Sequence, residues 1–223
     1  MVRTLQFGDS ALPIGSFSFS SGLESAVAEG VVNDVASLEA FVRTARRQAT
    51  GGDAIVVLVA HRSSLLGDLD GLVEADHVVI ERKLTDEARE ATRRIGRKLG
   101  EVAGPLLDPS IVTSWVDGVK QGTTPGTYPA GLGAVFAAMG VGEADAFAVH
   151  QYGVTATILG ASLRLMRVDH HDTQGIAFRT NADIAAEYER AASATLDDMS
   201  SFAPVTDVLA ALHVHSHVRM FMT

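Results

Sequence analysis

Cysteine is missing from all 223 residues, which excludes disulfides, zinc knuckles, iron–sulfur clusters and a thiol nucleophile. Basic residues are outnumbered: 18 Lys and Arg stand against 27 Asp and Glu, a formal net charge of -9. Proteins bind a phosphate backbone by neutralising it, so this chain makes a poor nucleic-acid partner. Long apolar runs are also missing. The nearest, from Phe147 to Met166, is interrupted by His150, Gln151, Tyr152 and Arg164, so no membrane span is expected. The opening "MVRTLQFGDS" lacks the apolar stretch of a secretory signal, and the chain reads as cytoplasmic. Motifs that carry chemistry are wanting too. There is no "GxxxxGK[ST]", no "GxGxxG" after a strand, no "HExxH" and no "GxSxG"; nothing assembles a nucleophile, a base and an oxyanion site. No enzyme is expected, and no catalytic residue is assigned.

What is present is alanine-rich and helical. Apolar residues make up 47% and charged residues 20%, the composition of a globular chain able to bury roughly 70% of its unfolded surface. In "SLEAFVRTARRQA", Leu38, Phe41, Val42 and Ala45 share a helical face, with Arg43, Arg46 and Arg47 opposite or flanking. Asn33 or Asp34 caps that helix and Gly51 and Gly52 end it. Further helices are predicted in "DAIVVLVAHRSSLL", whose valine run would also suit a strand, and in "LDGLVEADHVVIERKL". "TDEAREATRRIGRKLGEVAG" is another, with Thr85 as its cap and a salt-bridged face, followed by one in "PLLDPSIVTSWVDGVKQG". After the loop "QGTTPGTYPAG", a helix opens at Pro129 and ends at Gly140. A long central helix runs from Glu143 to Arg167, apolar on nearly every side, with Gly153 and Gly160 on one face. "VDHHDT" is a turn, with Asp169 or Asp172 capping the next helix, and "NADIAAEYERAASATLDDMS" is a further helix. The expected architecture is all-α: a single-domain helical bundle of roughly ten helices covering residues 1–223.

The histidines offer the best metal-ligand pattern. In "HVHSH", His213 and His217 would share a helical face; two imidazoles make only a labile site for Ni(II), Cu(II) or Zn(II). His170 and His171 lie between acids in "DHHD". Solvated or turn-forming roles suit both pairs better, so the four are weak metal candidates. His150 reads as a hydrogen-bonded core residue.

The stretch "SALPIGSFSFSSGLE", Ser10 to Glu24, fits neither a helix nor an ordinary strand. With its surroundings it resembles the N-terminal signature of the urease accessory protein UreF family, "SALPxGxFSxSxGLE". Ala11, Leu12, Pro13, Gly15, Phe17, Ser18, Gly22, Leu23 and Glu24 match, and Phe19 stands where the family's "FSYS" form has tyrosine. Later segments agree. "RRIGRKLG" resembles the family's arginine-containing helix. "ASLRLMRVDHHDTQ" keeps Arg164 and Gln174, while Arg167 replaces a proline and His170 a glutamine. In the terminal "HVHSHVRMFMT", His213, Arg219 and Phe221 match, but Val214 replaces a glutamate and His217 a tyrosine.

The resemblance implies an all-α homodimer. It implies no catalysis by the chain itself, and partners in the scaffold UreD (also called UreH), the GTPase UreG and the urease apoprotein. It also implies no resident cofactor, nickel being at most cargo in transit. On this view Leu12, Pro13, Phe17, Glu24, Arg164, Gln174, Arg219 and Phe221 face or orient the partners. Two other readings stay open: a nickel-binding protein or enzyme built on the histidines, and a generic helical interaction module.

Overall fold

The structure is a computed structural model that describes residues 2–9, 11–15, 18–200, 208–209 and 220–221. Within them the chain is all-α, without a strand. The α-helices are α1 (Val2–Gly8), α2 (Leu23–Ala28), α3 (Val35–Thr50), α4 (Asp53–Leu66), α5 (Leu69–Arg82), α6 (Asp86–Ala103), α7 (Ile111–Gln121), α8 (Tyr128–Ala138), α9 (Glu143–Leu165), α10 (His170–Asn181) and α11 (Ile184–Ala191), with single 3-10 turns at Gly104–Leu106 and Leu196–Asp198.

Capping chemistry sets many of the boundaries. Asp34 accepts a hydrogen bond from the Ser37 N–H at 2.7 Å and starts α3 in a capping box. Thr85 caps α6 through the Ala88 N–H, and Asp169 caps α10 through the Asp172 N–H. The valine run of "DAIVVLVAHRSSLL" is helical, and it is buried almost all round because α4 lies in the middle of the bundle. "PLLDPSIVTSWVDGVKQG" is divided between the first 3-10 turn and α7. The expected turn at "VDHHDT" holds only as far as Asp169: α10 begins at His170 and runs to Asn181, and a new helix starts at Ile184. "APVTDVLAALHVHSHVRMFMT" lies almost wholly outside the described residues.

Two large apolar cores form, with a smaller cluster of Ala54, Leu58, Phe147 and Ala191 beside them. One gathers α4 to α8 around Val56, Leu72, Leu99, Trp115, Leu132 and Phe136. The other joins α2, α3, α9 and α10 around Leu23, Leu38, Val42, Ile158 and Ile176, and takes in Leu209 and Phe221. Helix contacts are very close where glycine permits. A Cβ at Gly133 of α8 would sit 2.4 Å from the Val57 carbonyl oxygen of α4, and one at Gly96 of α6 would meet the 126–128 backbone at 2.3–2.5 Å. The N-terminal stretch straddles both cores: Leu12 and Ile14 enter the first, Leu23 and Ala26 the second.

A buried ion pair and a buried carboxylate hold the frame. Arg46 is not on the outer side of α3, as its helical position suggests. It is 1% exposed, ion-paired with Glu187 of α11 and donating to the Thr180 carbonyl of α10. The helix is covered there by α11 rather than by water, so the arginine sits inside. Asp76 of α5 is fully buried. It accepts hydrogen bonds from Trp115 Nε1 (3.0 Å), Thr124 Oγ1 (2.6 Å), Gly126 N (2.8 Å), and Thr127 N and Oγ1 (2.7 and 2.5 Å). One carboxylate thereby fixes the loop that opens α8.

Candidate functional site

Glu24 occupies the first turn of α2, where the helix dipole favours an acid. Its two carboxylate oxygens accept the backbone N–H groups of Met220 (2.7 Å) and Phe221 (3.1 Å), 196 and 197 residues away in sequence. Phe221 turns its ring inward and is 4% exposed. The Arg164 guanidinium, from the last turn of α9, lies over that ring at 4.2 Å from its centroid. A cation over an aromatic face is worth about 0.5–1 kcal/mol at an exposed site. An acid, a cation and an aromatic from three distant parts of the chain thus form a clasp that joins the start of α2 to the chain's last residues.

A groove of about 930 Å³ runs along α9 beside this clasp. Ile14, Phe19 and Gly22 of the N-terminal stretch line it, as do Arg164, His170 and Gln174. Gly160 is exposed, and a Cβ there would touch nothing among the described residues. Tyr152, on the same helix, is 43% exposed.

A polar group also lines the groove. Lys83 Nζ bonds both oxygens of Asp53 at 2.8 and 2.6 Å. His150 stacks on Tyr128 with ring centroids 6.2 Å apart. Burial pushes the His150 imidazole down to about 4; nearby Asp53 opposes that shift and Lys83 adds to it. Burial raises the Tyr128 phenol to about 12. It would also raise the Asp53 carboxyl, but the charge of Lys83, with help from His150 and the Lys83 hydrogen bond, outweighs it and holds that group below its ordinary value. His150 is buried as its place in α9 suggests, yet among the described residues its Nδ1 has no hydrogen-bond partner.

Of the residues singled out from the sequence, Glu24, Arg164 and Phe221 come together. Leu12 is buried in the first core, and Pro13 beside it is exposed. Gln174, His170 and His171 are exposed on α10. Phe17, Arg219, His213 and His217 lie outside the described residues. Among the described residues no three His, Asp or Glu side chains gather as a metal cage, and no helix is long and apolar enough to cross a membrane. The Asp53–Lys83–His150–Tyr128 group and Asp76 carried no motif. Asp76 did carry one signal: it sits on the apolar face marked by Leu72, Ala75 and Val79.

Among the described residues the chain is an all-α protein in which Glu24 at the start of α2 is clasped to residues 220 and 221 beside an open groove. The UreF family profile matches residues 32–181. Over 222 residues the chain is 50% identical to "Urease accessory protein UreF 2" of Brucella canis, covering 100% of this chain and 91% of that one. It is equally identical to "Urease accessory protein UreF 1" of Brucella melitensis, with 100% and 92% covered. With "Urease accessory protein UreF" of Yersinia pestis it shares 46% identity over 221 residues, 99% of this chain and 97% of the other. The chain belongs to the UreF family.

Proposed function

We propose that this chain is a urease maturation factor: a homodimeric, non-catalytic cytoplasmic adaptor of one helical domain. It bridges the UreD (UreH) scaffold and the UreG GTPase while nickel is delivered to the urease apoprotein. Nickel is cargo in this scheme, and the chain holds no cofactor of its own. The observation that carries the reading is the clasp. Glu24, Arg164 and Phe221 lie in the three segments that match the family's signature, and they converge in space. Packing alone would not require those positions to meet. Their convergence supports a surface on which the N-terminal stretch, the end of α9 and the chain's end are read together by a partner. Exposed Pro13 and Gln174 extend that surface. The open flank of α9, with Gly160 and Tyr152, offers a close-packing face to a second copy, because small residues let helices approach.

The test is co-purification with UreD and UreG, joined to urease activation in a strain lacking this protein. Wild-type chain is expected to recover both partners and restore activity. A folded chain that stays solitary, or one that turns over a substrate unaided, would sink the proposal. Titration with Ni(II) separates the adaptor from a histidine-based nickel protein, which would show one tight site per chain.

A further inference from the structure

A second cavity, about 360 Å³, opens between α3 and α11, away from the clasp. That volume is at the small end of ligand pockets, which run roughly 300–1,000 Å³. Four arginines line it, Arg43, Arg46, Arg47 and Arg190, against two acids, Asp183 and Glu187.

The pairings leave positive charge over. Arg46 is engaged by Glu187, and Arg43 is shared between Glu39 and Asp183, the latter at 2.5 Å. The other oxygen of Glu39 is taken by Arg179. Arg47 makes one long hydrogen bond to Thr44 Oγ1 at 3.3 Å, and among the described residues neither it nor Arg190 meets a carboxylate. Both are exposed at the mouth. Behind them, the buried Arg46 keeps its Nε–H without a hydrogen-bond partner among the described residues. In a chain of net charge -9, two uncompensated guanidinium groups on one concave site stand out. The planar guanidinium fork matches oxyanions bidentately, and two such forks match a double negative charge.

We propose that this cavity binds a small doubly charged oxyanion of the phosphate class, gripped by Arg47 and Arg190, while Arg43 and Arg46, already paired with acids, form the wall behind it. The inference is independent of the adaptor reading. Free phosphate and the terminal group of a small phosphate monoester share this chemistry.

Isothermal titration of the full chain, at constant ionic strength set with chloride, separates them. Inorganic phosphate is expected to bind once per chain. Arg47→Gln/Arg190→Gln should weaken it by about tenfold or more, the equivalent of one lost charge-assisted contact. Lys120→Gln, on an exposed lysine of α7, should leave it unchanged. Glycerol phosphate binding as well means that the cavity admits an ester; binding of phosphate alone means the free ion. Both arginines are exposed, and each single variant, checked by circular dichroism, should weaken binding in the same direction. Silence with phosphate, equal binding by the double variant, or acetate binding as tightly as phosphate would overturn the proposal.

Discussion

Replacing Asp76 with alanine would strand five donors around a fully buried site: the Trp115 indole N–H, two hydroxyls and two backbone amides. Each buried polar group left unmade costs about 1–3 kcal/mol, partly recovered by relaxation or an entering water. Asp76→Ala should therefore destabilise by about 3 kcal/mol or more in chemical denaturation, with Asp76→Asn intermediate because it keeps an acceptor. His150 gives a pH prediction. Its folded-state value of about 4 lies below the ordinary 6.5, so the unfolded chain takes up the proton first as pH falls. Stability should be full above pH 6.5 and decline down to about 4, by about 3 kcal/mol in total. Asp53, held low by Lys83 despite burial, should add its loss at the acid end, below the ordinary carboxylate value. Substituting His150→Gln should flatten the decline between those two pH values in urea titrations at several pH settings. A decline of the same size in the variant would assign the effect to other groups.

Helices were legible from the sequence wherever water distinguishes two faces, and less so elsewhere. In α6, acids, bases and apolar residues separate cleanly, and Thr85 caps it where the sequence places a cap. In α4 every side is covered, so the periodic signal is lost and the valine run suits either a strand or a helix. The Asp169 cap of α10 was legible, but the helix's extent was not, because its buried face is made of Thr173, Ile176, Ala177 and Thr180, too polar to stand out, while Phe178 points outward at 84% exposed. Arg46 misled for the opposite reason: a charge on a helix normally marks the wet side, and only the packing of α11 reveals otherwise. The clasp was legible through family resemblance alone, since no local pattern links Glu24 to a residue 197 positions away. At this scale Arg46→Ala should cost about 3–5 kcal/mol by leaving Glu187 buried and unpaired, whereas Arg46→Met/Glu187→Leu should recover much of that loss. Gly133→Ala, which forces a methyl to 2.4 Å from the Val57 carbonyl oxygen, should destabilise by about 1–3 kcal/mol through overpacking. That corresponds to a fall of about 2–4 °C in Tm per kcal/mol for a chain of this size.

At the scale of the whole molecule, the N-terminal stretch has a position that explains its composition. It crosses from one core to the other, placing Leu12 and Ile14 in the first and Leu23 in the second. Glycines at positive φ, Gly15 and Gly22, turn it sharply on the way. Glu24 then ties the end of that crossing to the end of the chain. Stability and assembly should therefore separate when the clasp is cut. Among the described residues the clasp comprises two charge-assisted hydrogen bonds and a cation–π contact, and it meets the second core only through the Phe221 ring. Glu24→Gln retains an acceptor for one amide and should lower stability by under about 1 kcal/mol; Arg164→Ala should cost a similar amount. Recovery of partners should fall much further, because residues at the centre of an interface cost about 2 kcal/mol or more on truncation. A pull-down quantified beside a denaturation curve for each variant checks this directly. If recovery falls only in proportion to stability, the clasp is a staple of the fold and the contact surface lies elsewhere on the molecule.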